Sequence, residues 1–274
     1  MHNQMPNDVK AALDQCRSMI AVGSKSFSLA AKLFAPETRH AAFFLYGWCR
    51  YCDDVVDGQV MGHGQIADYR DGQAARLQDL ITRTTAALNG QETDDPVFSG
   101  LARVFSRHDI PHRHAFELLD GFRMDAEERV YETPAEILDY CYHVAGVVGV
   151  MMAYVMGVRD APTLDRASDL GLAFQLTNIA RDVVDDARAG RVYVPAALLR
   201  AHAAPVRADD IAQPDNWPAA HGAALELLDI AEDYYLSARS GIRDLPFRCA
   251  WAITAALQVY REIGETMRAG GPEA

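Results

Sequence analysis

The sequence predicts an all-α, single-domain bundle. Apolar residues recur at intervals of three and four along most of its 274 residues, the period of a helix with one buried face. No alternating apolar and polar run is long enough to build a sheet. Hydrophobic residues make up 50% of the chain, enough to fill one sizeable core, and no linker or internal repeat divides it.

Taken in order, the periodicity predicts helices over 7–22, 25–34 and 37–57, the last ending in an acidic run before the Gly-rich loop Gly58 to Gln65. Helices over 66–89 and 94–108 follow, and Asp109-Ile110-Pro111 stops the second before 112–127 begins. Thr133 as N-cap with Pro134 at the first helical position opens the next, over 134–157. Within it, Tyr140 to Val158 runs nineteen residues without Asp, Glu, Lys or Arg, near the length that crosses a bilayer. Its His143, tyrosines and glycines, and the lack of a second span, assign it instead to the core or to the wall of an oily cavity. A helix over 163–187 carries a second acidic run, residues 187–194 break the pattern, and 195–201 is short. A surface loop over 202–217 with Pro205 and Pro214 precedes helices over 218–240 and 245–268.

The formal charge of −12 argues against nucleic acid and against electrostatic docking on anionic lipid, both of which need clustered Lys and Arg. Five cysteines, odd in number and mostly in apolar runs, fit a reducing cytosol, and MHNQMPNDVK lacks the pattern of a secretion signal. The expected location is therefore cytoplasmic.

The two acidic runs carry the chemistry. Asp53 and Asp57 stand four apart, as do Asp182 and Asp186, so each pair shares one helix face a turn apart. Like charges about 6 Å apart repel by roughly 3 kcal/mol at an effective dielectric near 20. Apolar neighbours (Phe43, Phe44 and Leu45; Phe174, Leu176 and Ile179) keep these faces from full solvation. A divalent cation resolves the conflict, and oxygen-only ligation suits Mg²⁺, which shares itself with phosphates. Arg50 and Arg181, three residues and one residue upstream of the pairs, supply planar forks that bind a diphosphate.

DDVVD together with QLTNIARDVVDD resembles the squalene and phytoene synthase family of head-to-head prenyl transferases. GSKSF (23–27), YCYHVAGVVG (140–149), RVYVPAALL (191–199) and DLPFRCAWAI with VYREIG (244–264) extend the likeness from about residue 20 to 268. WCRYCDDVVD and CYHVAGVVGVMMA are most similar to its bacterial phytoene-forming members. The resemblance implies an isoprenoid-synthase-type bundle around a central apolar cavity. The implied reaction condenses two geranylgeranyl diphosphates to phytoene through a cyclopropyl diphosphate, in carotenoid biosynthesis. It implies Mg²⁺ or Mn²⁺, no NADPH, and transient peripheral membrane contact to deliver the product. It further implies metal ligation by Asp53, Asp57, Asn178, Asp182 and Asp186, and diphosphate binding by Arg50, Arg181 and the segment Gly23, Ser24, Lys25, Ser26. Phe27, Tyr46, Gln175 and Tyr260, with Tyr140 and Tyr193, match substrate-lining positions, and Gly58 to Gln65 is a lid candidate.

The alternatives are the same reaction on farnesyl diphosphate, giving squalene or dehydrosqualene, and a non-catalytic isoprenoid-binding protein whose acidic turns are structural ion sites. Cys49 and Cys52 form a mid-helix CxxC expected to be buried packing, and His108, His112 and His114 are expected at the surface. Gly146 and Gly149 mark either a close helix approach or room for a substrate chain.

Overall fold

The computed structural model describes residues 13–14, 16–19, 30–59 and 70–271. The expected helices over 7–22 and 25–34, the GSKSF segment with Gly23, Ser24, Lys25, Ser26 and Phe27, and most of the Gly58 to Gln65 loop lie outside those residues or only partly within them.

Described residues form helices and turns, with no strand among them. The helices are α1 (Pro36–Asp57), α2 (Gln73–Leu88), α3 (Pro96–Arg107), α4 (Arg113–Ala126), α5 (Pro134–Cys141), α6 (Val147–Val155), α7 (Ala161–Arg181), α8 (Val183–Arg188), α9 (Ala196–Ala201), α10 (Ala208–Ile211), α11 (Trp217–Ile242) and α12 (Phe247–Gly270). Their starts follow capping chemistry. Asp95, Thr133 and Asp160 each accept an N–H of the first turn, with Pro96 and Pro134 at the first helical position and Pro162 at the second.

Three expectations are corrected. The single helix over 163–187 is two, because Asp182 leaves helical geometry at φ −96° and ψ 9°. Its turn nevertheless keeps the four-residue spacing, with Asp186 N–H donating to Asp182 O at 2.8 Å. The loop over 202–217 holds α10 and a short 3₁₀ turn, Pro214–Asn216. The helix over 134–157 is interrupted by a π-turn, Tyr142–Gly146, joining α5 to α6; such wide turns occur mostly at functional sites.

The core has two parts. One gathers α1, α2, α3, α4 and α6 around Trp48, Leu80, Phe98, Leu101 and Met151. The other gathers α5, α7, α9 and α11 around Ile137, Leu176, Leu199 and Leu227. Pro134 to Val155 is long and apolar enough to cross a membrane, yet half of it is buried inside the molecule, as a core helix is. The glycines decide how it packs. A Cβ on Gly149 would stand 2.2 Å from Ala167 O, and one on Gly171 would stand 2.3 Å from Ala145 O. Close backbone approach is thus what Gly149 and Gly171 permit. Gly171→Ala should destabilise the fold by about 1–3 kcal/mol through overpacking, read as a lower urea midpoint with unchanged slope.

Candidate active site

The first acidic run lies in the last two turns of α1. Gly58 ends that helix in the left-handed conformation at φ 61°, which glycine adopts without strain. Arg76 of α2 donates to Val55 O at 2.8 Å and Val56 O at 3.2 Å, so the end of the helix is held from outside. Arg50 reaches Asp53 at 3.0 Å and the buried Asp54 at 2.8 Å. Its buried Nε has no partner, leaving one donor available for an anion.

The second run lies where α7 gives way to α8. Arg181 forks onto both oxygens of Asp182, at 2.7 and 2.6 Å. Asn178 donates to Gln175 at 3.5 Å. Asp185 points to solvent with Arg188 at 2.9 Å, so only Asp182 and Asp186 of that run face inward.

Two residues join the runs. Arg191, in the turn after α8, binds Asp57 at 2.6 Å across a sequence separation of 134 while its N–H holds Asp186 O at 2.8 Å. Asp125, in the last turn of α4, accepts Tyr193 OH at 2.8 Å and Tyr140 OH at 3.1 Å. Tyr140 and Tyr193 stack at 5.2 Å, and Tyr131 adds a third ring at 5.4 Å from Tyr140.

The electrostatics record the crowding. Asp53 is pushed up to about 7, first by burial and then by Asp57, Asp54 and Asp125, against the pull of Arg50. Asp186 is pushed up to about 7 by burial and Asp182, with Arg191 opposing. Asp125 rises to about 6 by burial, resisted by Tyr193 and Arg191. One carboxylate, Asp125, therefore bears on both runs. Burial works against the charge on Arg191, yet Tyr193 and Asp57 outweigh it and hold its pKa above the usual value. Asp53 keeps 37% of its side chain exposed, so a cation can reach it from solvent.

Below these groups, on the seam between the two cores, lies a cavity of about 320 Å³. Tyr46, Cys49, Gln175, Asn178 and Tyr260 stand at its polar end, and Phe34, Val148, Met152, Met156, Leu170, Phe174 and Ile253 form its apolar wall. Phe174 stacks on Tyr260 at 4.1 Å. A larger groove of about 760 Å³ between α11 and α12 is lined by Asp229, Glu232, Arg261 and Arg268, already paired with one another; its lining, not its size, sets it aside.

Of the site residues named from sequence, the structure brings Arg50, Asp53, Asp57, Arg181, Asp182, Asp186, Tyr140 and Tyr193 around one polar centre, with Tyr46, Gln175, Asn178 and Tyr260 at the cavity's end. Sequence reasoning missed Asp125, Arg191, Tyr131 and the buried Asp54. Two minor expectations change. Cys49 lines the cavity, its thiol pushed up to about 12 by burial, so it is unreactive wall; Cys52 is buried as expected. His114 is buried, not superficial, with Nδ1 2.8 Å from Glu117.

These groups suit a divalent cation and a diphosphate: crowded carboxylates with raised pKa values, and an arginine with a spare donor. Among the described residues no three His, Cys, Asp or Glu side chains already converge as a closed cage, because Arg50, Arg181 and Arg191 each hold a carboxylate.

The family described as squalene/phytoene synthase matches residues 20–273. The chain is 54% identical to the 15-cis-phytoene synthase of a Paracoccus species, over 93% of this chain and 82% of that one. It is 50% identical to the phytoene synthase of Pseudescherichia vulneris, over 96% and 84%. A crystal structure of a dehydrosqualene synthase in complex with ligand superposes with a TM-score of 0.84 at 28% identity, covering 96% of this chain and 88% of that one.

A carboxyl whose folded pKa lies above its unfolded 3.8 makes ionisation costly in the fold. Stability from this source is present below about pH 4 and is lost as pH rises toward 7. In metal-free protein, Asp186→Asn should therefore stabilise by on the order of 1 kcal/mol at pH 8 and by nothing at pH 4, measured as paired urea unfolding curves with chelator present.

Proposed function

The chain belongs to the squalene/phytoene synthase family, and on that premise we propose that it condenses two geranylgeranyl diphosphates head to head to phytoene, through a cyclopropyl diphosphate intermediate, in carotenoid biosynthesis. The single observation that carries the reading is the meeting of Asp53, Asp57, Asp125 and Asp186 around Arg191, one helical turn from an apolar cavity. The relatives at 54% and 50% identity are phytoene synthases, against 28% for the dehydrosqualene synthase; this favours the twenty-carbon substrate over farnesyl diphosphate.

In this reading Asp53 and Asp57 on α1, with Asn178, Asp182 and Asp186 around the α7–α8 break, hold Mg²⁺ or Mn²⁺. Bound there, the ion neutralises charge developing on the departing diphosphate. Arg50 offers its unpartnered Nε to that diphosphate, and Arg181 adds its fork from the opposite run. Gly23, Ser24, Lys25 and Ser26 are proposed to hold a further diphosphate, and Phe27 to line the chain path. Tyr140 and Tyr193 fix Asp125, and Tyr46, Gln175 and Tyr260 line the entrance to the cavity. The apolar wall excludes water that would quench an allylic cation. The reaction needs no reductant. The protein is proposed to work in the cytoplasm and to touch membrane only to pass on its product.

A non-catalytic isoprenoid carrier would share the cavity, but it leaves the unpartnered Arg50 Nε and the opposed carboxylates without a purpose. Incubation with geranylgeranyl diphosphate and Mg²⁺ should yield a forty-carbon hydrocarbon; activity on farnesyl diphosphate alone, with a thirty-carbon product, would overturn the assignment. Asp53→Asn and Asp182→Asn should each lower turnover by about 10²-fold or more with circular dichroism unchanged. Mg²⁺ added together with inorganic diphosphate should raise the melting temperature more at pH 8 than at pH 5.5, because protons compete for Asp53 and Asp186 near pH 7.

A further inference from the structure

The end of the cavity remote from the carboxylates is framed by Ala30 and Phe34, by Thr163, Arg166 and Ala167 on α7, and by Gly241, Ile242 and Leu245 where α11 turns into α12. Immediately past that turn stand the two most exposed aromatic side chains among the described residues. Phe247 is 81% exposed and Trp251 58%, their ring centroids 6.5 Å apart on one outward face of the first turns of α12. The same helix turns its opposite face, with Ile253, Ala256 and Tyr260, to the cavity wall. One short helical segment thus separates the apolar hollow from a pair of aromatic rings held in water.

Charge around these rings departs from the rest of the chain. Between residues 234 and 260, Arg239, Arg243 and Arg248 face a single acidic residue, Asp244, in a molecule whose formal charge is −12. All three arginines are exposed and make no ion pair with a described residue; Arg248 Nε donates to Leu33 O at 3.2 Å, tying α12 to the Ala30–Phe34 side of the same cavity end. At this end of the cavity Arg166 is held by Asp169 and Ser237.

We propose that the α11–α12 turn is a docking surface for a phospholipid bilayer. Phe247 and Trp251 enter the boundary between headgroups and acyl chains, where amphipathic rings settle. Arg243 and Arg248 lie at the level of the lipid phosphates, where guanidinium forks donate bidentately. The remote end of the cavity then faces the membrane, so a long hydrocarbon leaves for lipid without crossing water. This deepens the proposed function and rests on the product being such a hydrocarbon. The net charge remains a constraint: with −12 overall, attachment depends on the aromatic pair and local phosphate contacts and not on a strongly anionic membrane.

The test uses the full chain, without substrate, and phosphatidylcholine vesicles carrying brominated acyl chains. Of the three tryptophans, Trp48 is buried and Trp217 stands at the far end of α11 beneath Arg188, so quenching of tryptophan emission should come chiefly from Trp251 and be lost in Trp251→Phe. Phe247→Ser with Trp251→Ser should weaken vesicle affinity by about tenfold or more. Turnover of substrate presented in detergent should stay within about twofold, as expected of surface changes. Vesicle binding by the double variant equal to that of the parent, or no quenching in the parent, would overturn the proposal. So would a dimeric parent that becomes monomeric in the double variant by light scattering, since the face would then belong to a second copy. Vesicle binding without phytoene formation would remove the reaction assignment and leave the docking surface standing; phytoene formation without binding would remove the surface alone.

Discussion

Crowded, partly buried carboxylates at the ends of three helices are the constraint on which this structure turns. Asp53 and Asp57 close α1, Asp125 lies in the last turn of α4, and Asp182 is the C-cap of α7. A helix C-terminus already carries about half a negative charge from its peptide dipoles. Carboxylates are therefore placed where the backbone itself disfavours them, and three such ends meet in one space. The raised pKa values of Asp53, Asp125 and Asp186 follow first from burial and then from the carboxylates crowded beside them. Each donor found there, from Arg50, Arg181 and Arg191 to the hydroxyls of Tyr140 and Tyr193, answers part of it.

The fold spends its special geometry on keeping this polar centre next to a dry hollow. Two cores that could have merged are held apart along a seam, and the seam is the cavity. The π-turn Tyr142–Gly146 supplies Val144 and Ala145 to its wall, while Gly149 lets α6, and Gly171 lets the π-turn, approach the α7 backbone along the same wall. A regular helix with alanines at both glycines would separate these backbones. Catalysis of ionisation needs both halves: cations against the leaving group, and no water against what remains.

Reading the chain alone recovers the part of this that is written in local spacing. Asp53 with Asp57, and Asp182 with Asp186, declare themselves because four-residue spacing of like charges in apolar surroundings is costly without a purpose. Thr133-Pro134 declares a helix start for the same kind of reason. Asp125 does not: RMDAEER reads as an ordinary solvated helix end, and only the tertiary approach of Tyr140 and Tyr193 turns it inward. Arg191 was visible inside RVYVPAALL without a role, because its partner Asp57 is 134 residues away. The break at Asp182 escaped periodicity since the i to i+4 hydrogen bond survives across it. Burial of His114 depends on Glu117 taking its Nδ1, a pairing that surface composition does not announce.

Arg191 keeps one carboxylate of the crowded site, Asp57, engaged at 2.6 Å. Its guanidinium and the Asp57 carboxylate cancel each other, so the polar centre is tolerable without a bound ion even though Asp53 and Asp186 lie so near. A divalent cation bound with a diphosphate would give Asp57 a replacement partner and Arg191 an anion. The exchange breaks one ion pair and makes two, so neither charge need be left bare in a low-dielectric space, which is the costly outcome for buried pairs. Neither ligand alone offers this: a cation without phosphate would strand the arginine, and a phosphate without cation would strand the carboxylates. On the proposed reading, the Arg191–Asp57 pair would couple metal and diphosphate binding.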